Sequence, residues 1–170
     1  MKKTQKKYAR GFTLIEILIV VAIIGILAST VLVGLRPATQ KGRDARRIAD
    51  LRNVQTGLEL YFSKCGYYPG GIEAGDTCSG YTSITSWNDL IDSLKGSNIG
   101  VSNVPKDPSY PDDPDNGYVY KADTFGETYI LRAKLDEAGS SALRDDIDEN
   151  TFGIDCGETT GGPYYYCIQL

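Results

Sequence analysis

The chain has 170 residues, 18 Lys plus Arg, 22 Asp plus Glu and no His, for a formal net charge of -4. Its length allows one modest domain, and the lack of imidazole removes most nucleophile-base pairs and most catalytic zinc sites. With 41% apolar residues, 19 Gly and 12 Tyr, it is neither highly charged low-complexity disorder nor a multi-span membrane protein.

The N-terminal 11 residues carry Lys2, Lys3, Lys6, Lys7 and Arg10 and no acid. Residues 17–35, ILIVVAIIGILASTVLVGL, then run for 19 residues without a charge; as a helix they would span roughly 28 Å, one bilayer crossing. A cleaved secretory signal is the competing reading. Against it, the apolar run continues past Ala28-Ser29-Thr30 through Val31, Leu32, Val33 and Leu35, and a helical pattern follows for about 25 more residues. Glu16 stands one turn inside the run, where an unpaired carboxylate costs roughly 2 to 3 kcal/mol in hydrocarbon. An anchor gains nothing from such a residue, so its placement points to a partner cation.

A Lys-rich leader ending in Gly, then Gly11-Phe12-Thr13-Leu14-Ile15-Glu16 and a long apolar helix, resembles the class III signal of type IV pilins and of the pseudopilins of type II secretion. The resemblance implies that a prepilin peptidase cuts between Gly11 and Phe12 on the cytoplasmic side. It further implies that Phe12 becomes the N-methylated first residue and that Glu16 pairs with the terminal amine of a neighbouring subunit. Many pilins place a proline within the apolar helix; here Val33 and Gly34 occupy that neighbourhood and the first proline is Pro37.

From Lys41 to Ser63 the pattern keeps a helical period. Ile48, Leu51, Val54, Leu58 and Tyr61 form the apolar stripe, Ala45 and Phe62 flank it, and Arg43, Arg46, Arg47, Asp50 and Glu59 are read as mostly off it. Joined to the apolar half, this predicts one helix of about 50 residues, with Gly34 and Pro37 as its weak points. It stops near Cys65-Gly66 at the turn cluster Tyr67-Tyr68-Pro69-Gly70-Gly71. Residues 36–52 carry six bases (Arg36, Lys41, Arg43, Arg46, Arg47, Arg52) against Asp44 and Asp50. No aromatic is interleaved and the cluster directly follows the apolar span, so lipid head groups or a neighbouring subunit's acids are favoured over nucleic acid as its partner.

Residues 53–170 hold 7 bases and 19 acids. A short helix is expected over Trp87 to Leu94 with Ser86 as N-cap. Strand signals come next at Gly117 to Ala122, Thr128 to Leu135 and Tyr164 to Leu170, with a five-residue turn from Asp123 to Glu127 between the first two. The pieces Tyr67-Tyr68-Pro69, Val104-Pro105-Lys106-Asp107-Pro108 and Tyr129 to Leu135 are similar to segments C-terminal to the helix in major pilins and major pseudopilins. Cys65, Cys78, Cys156 and Cys167 lack CxxC spacing, and an even count in an exported domain reads as disulfides. Three connectivities are open. The local pairs Cys65-Cys78 and Cys156-Cys167 are favoured, each closing a loop of about a dozen residues, and the second resembles the C-terminal disulfide-bounded loop of many pilins.

Asp112-Asp113-Pro114-Asp115-Asn116-Gly117, and separately Asp145, Asp146, Asp148 and Asp155, offer oxygen ligands for calcium. Counting Asp112 as the first position puts Pro114 in the third, which fails the EF-hand pattern. Major pseudopilins bind calcium in a loop of this region, so the resemblance keeps calcium in view. The residues themselves read as a solvated acidic loop, with no metal ligand assigned, no cofactor expected and no enzymatic activity.

These readings predict an α+β fold, a long N-terminal helix packed on a small antiparallel sheet. They divide the chain into a leader (1–11), an apolar half-helix (12–35), an amphipathic half-helix (36–64) and a globular head (65–170). The resemblance implies a filament subunit, held as a single-pass inner-membrane protein in lipid before assembly and polymerising with copies of itself on an inner-membrane assembly platform. A surface type IV pilus is preferred, with a type II secretion pseudopilus as the alternative and a tethered, non-polymerising binding domain as the second alternative.

Overall fold

The computed structural model describes residues 11–71, 78, 83–157 and 162–170; the leader charges from Lys2 to Arg10 lie outside them. The chain forms two compact units, Met1–Thr39 and Gln40–Leu170. Helix α1, Leu14–Cys65, has 52 residues and contributes to both. Pro37 sits inside it, so the helix lacks one amide donor at that turn.

In the first unit α1 is long and apolar enough to cross a membrane, with a mean hydropathy of 2.9 over its most apolar window. Its hydroxyls are satisfied locally: Ser29 Oγ donates to the Ile26 carbonyl at 2.7 Å and Thr30 Oγ1 to the Leu27 carbonyl at 2.8 Å. Each thus folds back onto its own helix, the arrangement that hydrocarbon demands of a polar side chain.

The second unit is built on the rest of α1. Helix α2, Trp87–Gly96, starts where the sequence places it, on a capping box in which Ser86 Oγ accepts from the Asp89 amide and the Asp89 carboxylate accepts from the Ser86 amide. Strands β1, Val119–Ala122, β2, Tyr129–Leu135, and β3, Tyr164–Gln169, form an antiparallel sheet in the order β1-β2-β3. The sheet pairs Val119 with Arg132 and Arg132 with Cys167. β1 begins two residues later than expected because the Gly117 amide donates to the Asp113 carbonyl and so belongs to the preceding turn.

Alternation along β2 gives the sheet one buried face and one partly buried face. Tyr129, Leu131, Ala133 and Leu135 join Leu51, Val54, Leu58 and Tyr61 of α1 and Leu90 and Leu94 of α2 in the main core. Ile130 points the other way, into a second small cluster with Cys156 and Cys167, against which Ile147, Phe152, Ile154 and Tyr165 pack. The three-stranded sheet is therefore covered by helix on one face and, around Ile130 and Cys167, by the C-terminal loop on the other. The turn after α1 is locked by close backbone crossing: the Tyr68 amide donates to the Gly126 carbonyl at 2.8 Å, and a Cβ on Gly71 would lie 2.6 Å from the Gly126 nitrogen. Two expectations for the amphipathic stripe need correction. Arg47, read as off it, is fully buried, while Ala45, read as flanking it, is exposed.

Candidate functional site

At the start of α1, Gly11 and Phe12 precede the helix, and Phe12 is 83% exposed. Thr13 is the N-cap. Its amide and its hydroxyl both donate to the Glu16 carboxylate, at 2.8 and 2.7 Å, and its Oγ1 accepts from the Glu16 amide at 3.3 Å. This is a reciprocal capping box, with two of the helix's orphan donors satisfied and the carboxylate on the positive end of the helix dipole. Sequence reasoning assigned Glu16 only an external cation. The Thr-x-x-Glu spacing was the available signal that the isolated subunit also holds this carboxylate from within.

One base of the basic segment is turned inward. Arg47, 0% exposed, donates from Nε to Asp107 Oδ2 at 2.7 Å, from Nη1 to Asp44 Oδ1 at 2.8 Å and from Nη2 to Ser109 Oγ at 3.1 Å. Asp136 Oδ2 lies 3.3 Å from Nη1. Asp44 in turn accepts from the amides of Asp136 and Glu137, and Asp107 from those of Ser109 and Tyr110. One guanidinium thereby cross-links α1 to the loop before β1 and to the end of β2. Burial works against the Arg47 cation, but the hydrogen bond and charge of Asp107, then Asp136 and Asp44, outweigh it and raise its pKa. Burial likewise works against the Asp136 anion, and Arg43 and Arg47 outweigh that to lower its pKa.

Neighbouring bases pair on the same surface: Lys41 with Glu137, Arg43 with Asp136 and Arg46 with Asp50. Four of the six bases in 36–52 thus have acidic partners inside the chain. These pairs account for most of the cluster's charge within the chain, a source of partners that the sequence reading did not consider.

Cys65 is bonded to Cys78 and Cys156 to Cys167, with Cα atoms 5.8 and 6.0 Å apart. The first loop leaves the C-terminal end of α1; the second ties β3 to the segment that covers the outer face of the sheet. Among the described residues no group of three or more Asp, Glu, Cys or His side chains is arranged to hold a metal ion. The candidate calcium loop does not fit one: Asp113 spends its carboxylate on the amides of Asp115 and Asn116 and on Asn116 Nδ2, and Asp112 is paired with Lys106.

Comparison with known proteins finds one family model and several relatives. Residues 6–32 match the family model described as the prokaryotic N-terminal methylation motif. Type II secretion system core protein G of Escherichia coli is 36% identical over 69 residues, 41% of this chain and 46% of that protein. The protein of the same name from Vibrio cholerae is 36% identical over 77 residues, 44% of this chain and 51% of that protein, and the one from Aeromonas hydrophila 34% over 65 residues, 38% and 46%. The chain spans about half the length of the curated relatives it matches. None of the three is named for a catalytic activity, and no solved structure matches.

Proposed function

We propose, for a chain that carries the prokaryotic N-terminal methylation motif and resembles type II secretion core protein G, that it is a structural subunit of a pseudopilus-type helical filament. The observation that carries the reading is the sequence Gly11 to Glu16, with its Thr13-Glu16 cap, opening an apolar helix exposed on every side. The named relatives support a secretion pseudopilus over the surface pilus that the sequence alone favoured.

In this reading a prepilin peptidase cuts after Gly11 and methylates Phe12. Loss of the leader removes five bases and leaves 13 against 22 acids, -9 in side-chain charge. Before cleavage, the leader's bases keep the N-terminus in the cytoplasm and residues 12–35 span the inner membrane. After cleavage the new amine lies within about one helical turn of the Glu16 level, where a subunit displaced along the axis can offer it to its neighbour. Glu16 then exchanges the Thr13 hydroxyl for a full positive charge. Burial of the apolar helices supplies the cohesion and the ion pair sets the register, because a slip would bury both charges unpaired. The assembly platform of the inner membrane would extract the subunit from lipid into the fibre.

The test is Glu16→Leu beside wild type and Gly11→Ile. Mass spectrometry of the wild-type subunit should find methylated Phe12 at the N-terminus, and Gly11→Ile should accumulate as precursor. Glu16→Leu should be processed, folded and membrane-resident but form few or no fibres on overproduction, as seen by electron microscopy. Normal fibre length from Glu16→Leu would end the role given to that residue. Fibres confined to the periplasm, with an exported protein retained when the gene is deleted, fit the pseudopilus; abundant surface fibres with secretion intact would return the reading to a pilus.

A further inference from the structure

Calcium takes carboxylate, side-chain amide and backbone carbonyl oxygens, six to eight of them around one ion. The loop before β1 presents all three types, and on each the chain has already set a cation of its own. Lys106 Nζ lies 2.6 Å from Asp112 Oδ1. Lys134 Nζ donates to Asn116 Oδ1 at 2.6 Å, and Arg132 Nη2 donates to the Asp115 carbonyl at 3.3 Å. The hydrogen bond and charge of Lys106 hold the Asp112 carboxyl below the ordinary carboxylate range, and hydrogen bonds from Asn116 and the Asp115 amide do the same for Asp113.

Arg132 and Lys134 stand two residues apart on β2, so both rise from the sheet face opposite Leu131 and Ala133. Arg132 is fixed there by stacking on Tyr165, with its guanidinium carbon 4.3 Å from the ring centre. Its Nη1 donates to the Asp155 carbonyl at 3.3 Å. One guanidinium therefore joins two acidic stretches, Asp112 to Asn116 and Asp145 to Asp155, that are distant in sequence.

We infer that Arg132, Lys134 and Lys106 form a built-in cationic clasp that performs here the structural task of a divalent cation, occupying oxygens of the two acidic stretches and holding them over the outer face of the sheet. A bound ion stabilises in proportion to the logarithm of its concentration, whereas a tethered cation is always present. Loop order in this subunit is thus independent of calcium. The clasp lies wholly within the globular unit, so it stands or falls separately from the filament reading.

The experiment uses the full-length chain in detergent, with unfolding followed by the fluorescence of Trp87, the single tryptophan. Thermal midpoints in EDTA and in millimolar calcium chloride should agree within about 1 °C, and Tb³⁺, a luminescent hard-cation probe, should show no saturable signal. Hydrogen exchange supplies the second arm. Arg132→Met should speed exchange of protected amides about tenfold in both acidic stretches, and Lys134→Met only in the stretch before β1. A rise of several degrees with calcium, or saturable Tb³⁺ binding at micromolar concentration, would overturn the inference. So would unchanged exchange in either variant; should Arg132→Met fail to fold, Lys134→Met alone decides.

Discussion

The two halves of α1 are one helix by backbone and opposite in what surrounds them. Ile17 and Leu27 in the first half are 52% and 60% exposed, while Leu51 and Leu58 in the second are 0% exposed. The difference lies in pattern rather than in amount of apolar side chain. The second half concentrates its apolar residues on one stripe, which a single sheet and a short helix can cover. The first half is apolar all round and exposed along its length up to residue 30, so nothing in its own chain covers it there; in the proposed reading, lipid and then other copies of the same helix do. The second half in turn buries charge, at Asp44 and Arg47, whereas the one charge of residues 12–35, Glu16, is exposed.

The sharpest way to break this comparison is to remove the buried charge from one side. Arg47→Met should cost about 3–5 kcal/mol, because it leaves Asp44 and Asp107 buried without their cation. Denaturant unfolding monitored at Trp87 measures it. Adding Asp107→Asn to Arg47→Met should recover part of the loss, since one of the two stranded anions is then neutral; a loss below about 1 kcal/mol for the single variant would mean that water reaches the cluster.

A smaller effect sharpens the contrast between the halves directly. Leu58→Ala should destabilise the globular unit by about 2–5 kcal/mol through lost burial and the cavity left behind. Leu18→Ala, 61% exposed at the start, should change the same unfolding curve by no more than about 0.5 kcal/mol. Equal effects from the two would show that the halves unfold as a single cooperative unit.

The smallest expected effect is at alkaline pH. Burial, then the hydrogen bond and charge of Glu59, push the Tyr68 hydroxyl up to about 12. The folded state holds this proton more tightly than an unfolded chain, where tyrosine titrates near about 10. Its contribution is therefore complete below pH of about 10 and is lost as pH rises through the folded value. Tyr68→Phe should flatten the stability profile between these limits; an unchanged profile would assign the alkaline loss to other tyrosines.

Much of this molecule was decided locally and is legible in the sequence. The 3.6-residue stripe defines the second half of α1, Ser86 and Asp89 start α2, and alternation with flanking turns marks β1, β2 and β3, because each of these signals acts within a few residues of itself. The motif from Gly11 to Glu16 is equally local, and its Thr13-Glu16 cap was readable from spacing alone. The environment of Arg47 was not. A charged residue on a helix is normally solvated, and its burial depends on Asp107, sixty positions away, and on Asp136 at the end of a strand. The same holds for the cationic clasp on β2: alternation puts Arg132 and Lys134 on one face, but only the folded chain brings the Asp115 and Asp155 carbonyls to Arg132. Periodicity specifies which side of an element is apolar; which charges meet across elements is set by the tertiary arrangement, because electrostatic partners are chosen by distance in space and carry no period along the chain.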